Sequence, residues 1–240
     1  MAKKLRIDKV LSNIGCGSRA EIKKYCKQGN IFVNGKCVSN PGLQVDTEND
    51  EIVFNGEKIT YREFVYIMLN KPDGYISATF DKKDPIVLDL IDPSYLVFEP
   101  FPVGRLDKDT EGLLVLTNDG QLSHRVLSPK KHVPKTYYAK IDGIVTEDDI
   151  IAFEKGVTLD DGYETMPSQL KILKSAEESE IELTIHEGKF HQVKRMFESV
   201  GKKVVYLKRL SMGQLKLDEN LALGEYRELT EEEIKLIEER

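Results

Sequence analysis

The sequence predicts an α+β protein: a small head built on an αα-hairpin, then a larger body built on a mixed or antiparallel sheet. Three observations carry that reading. Near the start, apolar residues repeat at helical spacing and later ones flank a tight-turn dipeptide. Beyond position 65 the apolar runs are short and rich in β-branched or aromatic residues, with helical stretches between them. The charge also divides. Residues 1–45 hold 9 Lys/Arg against 2 Asp/Glu, a net of +7, leaving 26 basic and 39 acidic residues, a net of −13, in a 240-residue chain of formal charge −6. The expected organisation is a head over 1–60, a polar linker over 61–64 and a body over 65–240.

Composition bounds the function. Hydrophobic residues at 40% and charged residues at 32%, with only 9 Pro and 17 Gly, describe a chain that can bury a core, which excludes collagen-like and disordered classes. No stretch approaches the ~20 consecutive apolar residues of a membrane span, and the opening residues lack the apolar centre of a signal peptide, so a cytoplasmic protein is expected. The 3 cysteines, Cys16, Cys26 and Cys37, have no Cys-x-x-Cys pairing, and the chain has only 4 histidines. Reduced thiols, no metal and no cofactor are expected.

In the head, Ile7, Val10, Leu11 and Ile14 form the stripe of a first helix, ended by Gly15 and Gly17. Ser18-Arg19-Ala20-Glu21 has the form of a capping box opening a second helix that Gly29 closes. Asn34-Gly35, between Ile31–Val33 and Lys36–Val38, signals a hairpin whose two turn residues need positive φ. On the second helix Arg19, Lys23, Lys24 and Lys27 gather on one face while Ile22 and Cys26 turn inward. A basic ridge on an otherwise acidic protein is the footprint of polyanion binding. A solvated face with no partner is the other reading of charge alone.

These residues, with Arg6-Ile7-Asp8-Lys9 and Val33-Asn34-Gly35-Lys36, resemble the S4-type RNA-binding domain. The resemblance implies RNA contacts from Arg6, Lys9, Ser18, Arg19, Lys23, Lys24, Lys27, Asn34 and Lys36. It covers about the first quarter of the chain and implies no chemistry.

In the body, strands are expected at Val65–Leu69, Leu113–Leu116, Tyr137–Ile141, Ile181–Ile185 and Val204–Leu207, and helices at Glu147–Lys155 and His191–Val200. Asn118-Asp119-Gly120 reads as a turn. The acidic stretch from Asp218 to Arg240 reads as an outward-facing, solubilising end. A second basic stretch, His186 to Arg209, carries Lys189, Lys194, Arg195, Lys202, Lys203, Lys208 and Arg209 against Glu187 and Glu198. The most unusual segment runs from Gly104 to Gly120, where a polar loop containing Asp107 and Asp109 leads straight into an apolar strand. That is how a rigid scaffold presents a reactive side chain, although the pattern alone also suits a solvated surface loop.

Gly104-Arg105-Leu106-Asp107, Thr110-Glu111-Gly112-Leu113-Leu114 and Thr117-Asn118-Asp119-Gly120 closely resemble the signature of pseudouridine synthases of the RsuA branch, bacterial ribosomal RNA enzymes with an S4 head. Lys71-Pro72, Lys135-Thr136-Tyr137, Glu187-Gly188-Lys189-Phe190-His191-Gln192-Val193-Lys194-Arg195-Met196 and Gly224–Thr230 follow in the family's order, so the similarity spans essentially the whole chain. It implies isomerisation of a uridine to pseudouridine by base flipping, with Asp107 as the reacting carboxylate in a dry pocket. It implies Tyr137 as the residue stacked on the uracil, and Lys194 as the cation that keeps Asp107 charged where much of the superfamily has arginine. Arg195 is the alternative cation. Lys differs from Arg in giving a point charge instead of a two-pronged fork.

Arg105, Lys71, Lys189, His191, Gln192 and Arg195 are implied RNA contacts. For Arg105 the alternative is a surface ion pair with Asp109 or Glu111; for Tyr137, core packing. Members acting on the large subunit commonly have Asn where Phe190 stands and Arg where Lys194 stands. The resemblance therefore leans to 16S rRNA, free or in a small-subunit assembly intermediate, at the uridine-516-type site. A monomer with no membrane partner is expected. A large-subunit or tRNA uridine, and a non-catalytic RNA-binding assembly factor, are the rival readings.

Overall fold

The structure, a computed structural model, describes residues 4–239. It forms two compact units, one running to Val65 and including Pro93–Glu99, the other comprising Tyr66–Asp92 and the chain from Pro100 onward.

The first unit contains β1 (Lys4–Arg6), α1 (Ile7–Asn13), α2 (Arg19–Gln28), β2 (Ile31–Val33), β3 (Lys36–Cys37), β4 (Gln44–Asp46), β5 (Ile52–Phe54) and β6 (Glu57–Ile59). Ile7, Val10 and Leu11 of α1 meet Ile22 and Cys26 of α2 and the apolar faces of β2, β4 and β5 in one core. The capping box is formed. Glu21 N–H donates to Ser18 Oγ at 3.3 Å, and Ser18 N–H donates to the Glu21 carboxylate at 2.8 Å. Gly29 ends α2 in the left-handed region, and the Asn34-Gly35 turn has φ of 51° and 73°. The expected hairpin is half of a four-stranded sheet, β3-β2-β5-β6, because Ile52–Phe54 pairs along β2. Tyr61, inside the expected linker, packs on this core, and its hydroxyl accepts from Asn13 at 3.1 Å. Gly15 has positive φ, and a Cβ there would collide with Val97 of the Pro93–Glu99 segment.

The second unit is built on β7 (Tyr66–Lys71), β8 (Phe101–Pro102), β9 (Glu111–Thr117), β10 (Lys135–Asp142), β11 (Gln169–Lys174), β12 (Glu178–Ile185), β13 (Lys203–Met212), β14 (Leu215–Lys216) and β15 (Tyr226–Glu228). Its path is β11-β12-β10-β13-β9-β7-β15, antiparallel except where β13 meets β9 in parallel. That junction depends on Gly112. It pairs with Arg209 at φ 99°, and a Cβ would strike the Arg209 backbone. The helices are α3 (Gly120–Leu127), α4 (Glu147–Lys155), α5 (Gln192–Ser199) and α6 (Glu231–Leu236). α4 and α5 fall where helical spacing places them.

Two sequence expectations need correction. Asn118-Asp119-Gly120 opens a helix: the Asp119 carboxylate caps α3 by accepting from Gln121 N–H and Leu122 N–H at 2.9 and 3.0 Å, and also accepts from Tyr66 at 2.9 Å. The acidic end is part of the fold, since β15 extends the sheet beside β7 and Ile237 is buried in the core. Its charge is offset internally, with Arg227 held between Asp218 and Glu233 at 2.7 Å each.

Candidate active site

The loop before β9 is pinned from below before it presents anything. The Ser77 hydroxyl donates to Leu106 O at 3.0 Å and accepts from Leu106 N–H at 3.1 Å, fixing the residue that precedes Asp107. Lys71 ends β7 fully buried, and its ammonium donates to the carbonyls of Pro72, Lys108 and Thr110 at 3.0, 3.0 and 2.8 Å. This corrects the expectation of an RNA-contacting Lys71. The side chain ties three loop carbonyls together, of which Lys108 O also accepts from Gly74 N–H at 3.0 Å, and burial pushes its pKa down to about 8.

Held in this way, Asp107 faces two side chains from the segment around α5. Lys194 Nζ stands 3.5 Å from one carboxylate oxygen and His191 Nε2 stands 3.5 Å from the other. Lys194 is shared, because it hydrogen-bonds both oxygens of Asp109 at 2.6 and 2.8 Å. Burial works against the charged Asp109, but the hydrogen bond and charge of Lys194 outweigh it and hold its pKa below the ordinary value. Asp107 has no comparably short contact among the described residues. Its side chain is 27% exposed at the meeting of a cavity of about 120 Å³ and a wider adjoining cleft, so the protein alone does not seal the pocket expected from sequence.

The cavity is lined by Asp107, Tyr137, Lys135, Thr110, Leu207 and Arg209 among others. Cavities of roughly 150 Å³ take up a benzene ring, so this one suits a single flat six-membered ring. Tyr137 is buried on β10, opposite Arg209 of β13. Arg105 is exposed, lines both cavity and cleft, and forms no ion pair among the described residues; Asp109 pairs with Lys194, and Glu111 accepts from Tyr206 at 2.6 Å.

The remaining residues singled out in sequence divide by how far their polar groups are committed. Lys189 lies exposed over the Tyr163 ring at 4.3 Å. Gln192 is buried as a brace, donating to Glu187 at 2.7 Å and accepting from Lys189 N–H at 2.8 Å. Arg195 turns from Asp107 to pair with Asp160 and Asp161, so Lys194 is the cation beside Asp107. In the first unit Lys9, Arg19, Lys23, Lys24, Lys27 and Lys36 are exposed. Arg6 grips the buried Asp8 at 2.7 Å, Ser18 is tied into its capping box, and the Asn34 amide holds Asp50 and Glu51 N–H at 2.8 and 2.9 Å. Sequence reasoning assigns no individual role to Lys135 or Arg209. The available signal was a charged residue on the inward-facing alternation of an apolar strand, at Leu207 and Arg209.

Among the described residues no cluster of three or more His, Cys, Asp or Glu is placed to hold a metal, and no helix is long and apolar enough to cross a membrane.

A small cavity walled by a tyrosine and cations, with one carboxylate at its mouth, in a chain whose first unit carries a basic helix, fits an enzyme acting on a nucleobase in RNA. Residues 5–52 match the S4 domain and residues 65–199 match the RNA pseudouridylate synthases, and the chain belongs to the RNA pseudouridylate synthase family. It is 52% identical to an uncharacterised RNA pseudouridine synthase of Bacillus subtilis, over 98% of this chain and 99% of the relative. It is 42% identical to the ribosomal large subunit pseudouridine synthase B of Bacillus subtilis, over 96% and 94%. It is 41% identical to the ribosomal small subunit pseudouridine synthase A of Haemophilus influenzae, over 96% and 98%. A crystal structure of a pseudouridylate synthase, 40% identical, superposes over 97% of this chain and 99% of that one with a TM-score of 0.68.

Proposed function

We propose that this pseudouridine synthase isomerises a uridine of 16S rRNA, free or within a small-subunit assembly intermediate, at a uridine-516-type site. The observation that carries the catalytic reading is Asp107 set 3.5 Å from both Lys194 and His191, at the mouth of a cavity that fits one base. Lys194 and His191 flank the carboxylate on the side where it meets the flipped nucleotide. Hydrolytic glycosidases bring a pair of carboxylates because water must be activated as well. Isomerisation keeps the base in the pocket, and one carboxylate suffices to assist breakage of the C1′–N1 bond, whether by bonding to the sugar or by taking a sugar proton.

Tyr137 packs against the retained uracil, and Arg105 holds the extruded nucleotide at the junction of cavity and cleft, as a planar cation beside a gap in the base stack can do. RNA covering the mouth supplies the remaining exclusion of water. The exposed cations of α2, with Lys9 and Lys36, bind phosphates and fix no sequence.

The small-subunit reading rests on Phe190 and Lys194, where large-subunit members commonly carry Asn and Arg. Overall identity does not separate the two, being 41% and 42%. Pseudouridine mapping in ribosomal RNA from cells lacking the protein decides the matter. One site should disappear from 16S rRNA; an intact 16S pattern with a site missing from 23S rRNA would transfer the substrate to the large subunit.

A further inference from the structure

Among the described residues three buried side-chain polar atoms lack a hydrogen-bond partner: Asn70 Oδ1, Thr110 Oγ1 and Arg209 Nη2. Two of these belong to residues that line the cavity at Asp107, Thr110 and Arg209, the atoms themselves lying just behind its wall. Arg209 is 1% exposed and makes no ion pair among the described residues. Its Nε donates to Leu113 O at 2.8 Å, which aligns the guanidinium without neutralising it. Arginine does not shed its charge on burial, and an unpaired buried charge costs several kcal/mol. The surroundings add to that cost. Lys135, on the same wall, is pushed down to about 8 by burial and by the charge of Arg209. Among the described residues no anionic group stands within ion-pair distance of Arg209.

The reaction supplies one. When the C1′–N1 bond breaks, its electron pair stays with the base, giving a uracil anion with charge spread over N1 and the two carbonyl oxygens. Re-attachment through C5 returns a pair to C1′. The C5 proton is then lost and N1 gains one, so that product and substrate are isomers.

Resting on the proposed isomerisation at Asp107, we infer that Arg209 is a catalytic residue whose Nη2 donates to a carbonyl oxygen of the flipped uracil and stabilises the anion formed on C1′–N1 cleavage. The Thr110 hydroxyl completes the edge, accepting from N3–H or donating to the second carbonyl. A fixed donor in a water-poor cavity, aimed where charge develops, acts on the transition state more than on the bound substrate. The register brings the ring and the cation together: Arg209 lies opposite Tyr137 on one side and beside Gly112 on the other.

The test is single-turnover C1′–N1 cleavage by Arg209→Met on ribosomal transcripts made with uridine or with 5-fluorouridine, whose base is the more stable anion. If neither transcript is converted, total cellular RNA replaces them, so the wild-type rate reports on the substrate separately. The expected loss on uridine is about 100-fold in the maximal single-turnover rate with little change in the half-saturating enzyme concentration, the scale for removing one such donor, and a distinctly smaller loss on 5-fluorouridine. Equal losses on both substrates, or none, would overturn the assignment. Melting curves accompany the rates. If Arg209→Met does not fold, Arg209→Lys carries the same comparison, and failure of both to fold would assign Arg209 to the architecture and overturn its catalytic role.

Discussion

The cations of the two units are put to opposite uses. On α2, Arg19, Lys23, Lys24 and Lys27 are exposed and unpaired with carboxylates among the described residues, while the helix's inward face is apolar. In the second unit Lys71, Lys135 and Arg209 are buried, and Lys194 and Arg195 are engaged with Asp109 and with Asp160 and Asp161. Exposed charge acts over a Debye length and is screened by salt. Buried charge is spent on one loop, one carboxylate or one base and is nearly blind to salt. The basic count of a segment therefore says little about RNA binding until each charge is placed. His186–Arg209 looks like a second phosphate-binding stretch in sequence, yet Lys194, Arg195 and Lys202 pair with carboxylates, Lys189 lies over Tyr163 and Arg209 lines the cavity.

Perturbing the two groups should separate chemistry from affinity. The largest effect is expected from Asp107→Asn, which should lower single-turnover isomerisation by more than about 1000-fold, the scale on which loss of a reacting group registers, while filter binding changes less than twofold. Lys194→Met should follow with about a 100-fold loss, and its pH–rate profile should move because Asp109 loses the cation that holds its pKa down.

Replacing Arg19, Lys23, Lys24 and Lys27 together by Gln should weaken binding and leave the rate of the saturated complex unchanged. The slope of log affinity against log salt should fall by about 0.7 for each single-strand phosphate that is no longer neutralised. An unchanged slope would remove α2 from the interface.

The effect furthest from function is on stability. Lys71 and Lys135 have folded pKa values near 8, below the ordinary 10.5, so the unfolded chain binds more protons between those values. Stability should rise with pH across that window, by up to about 3 kcal/mol per group. In denaturant titrations from pH 7.5 to 10.5, Lys71→Met should lose its share of the rise.

Much of the first unit was legible because its signals are local: the stripe Ile7, Val10, Leu11, the Ser18/Glu21 box and the Asn34-Gly35 turn each act within a few residues. β5 escaped because its pairing with β2 crosses a long loop, and β6, which pairs with β5 across the Asn55-Gly56 turn, escaped with it. In the second unit Asp107 stood out through its loop and family signature. Asp119 was misread because Asn-Asp-Gly suits a turn or a helix cap equally well, and only the following Leu122 and Val126 against the core decide. Lys71, an RNA contact only by resemblance, is buried because three carbonyls surround its ammonium, which no local pattern shows. Arg209 is silent in sequence because its meaning comes from what is missing beside it in three dimensions.

The most direct test of the central claim is product analysis after purified protein is incubated with unmodified 16S transcript in EDTA, with no cofactor added. The account predicts one pseudouridine per transcript and no free uracil with the wild-type chain, and neither product with Asp107→Asn. Release of uracil, or pseudouridine formed at the wild-type rate by Asp107→Asn, would contradict it.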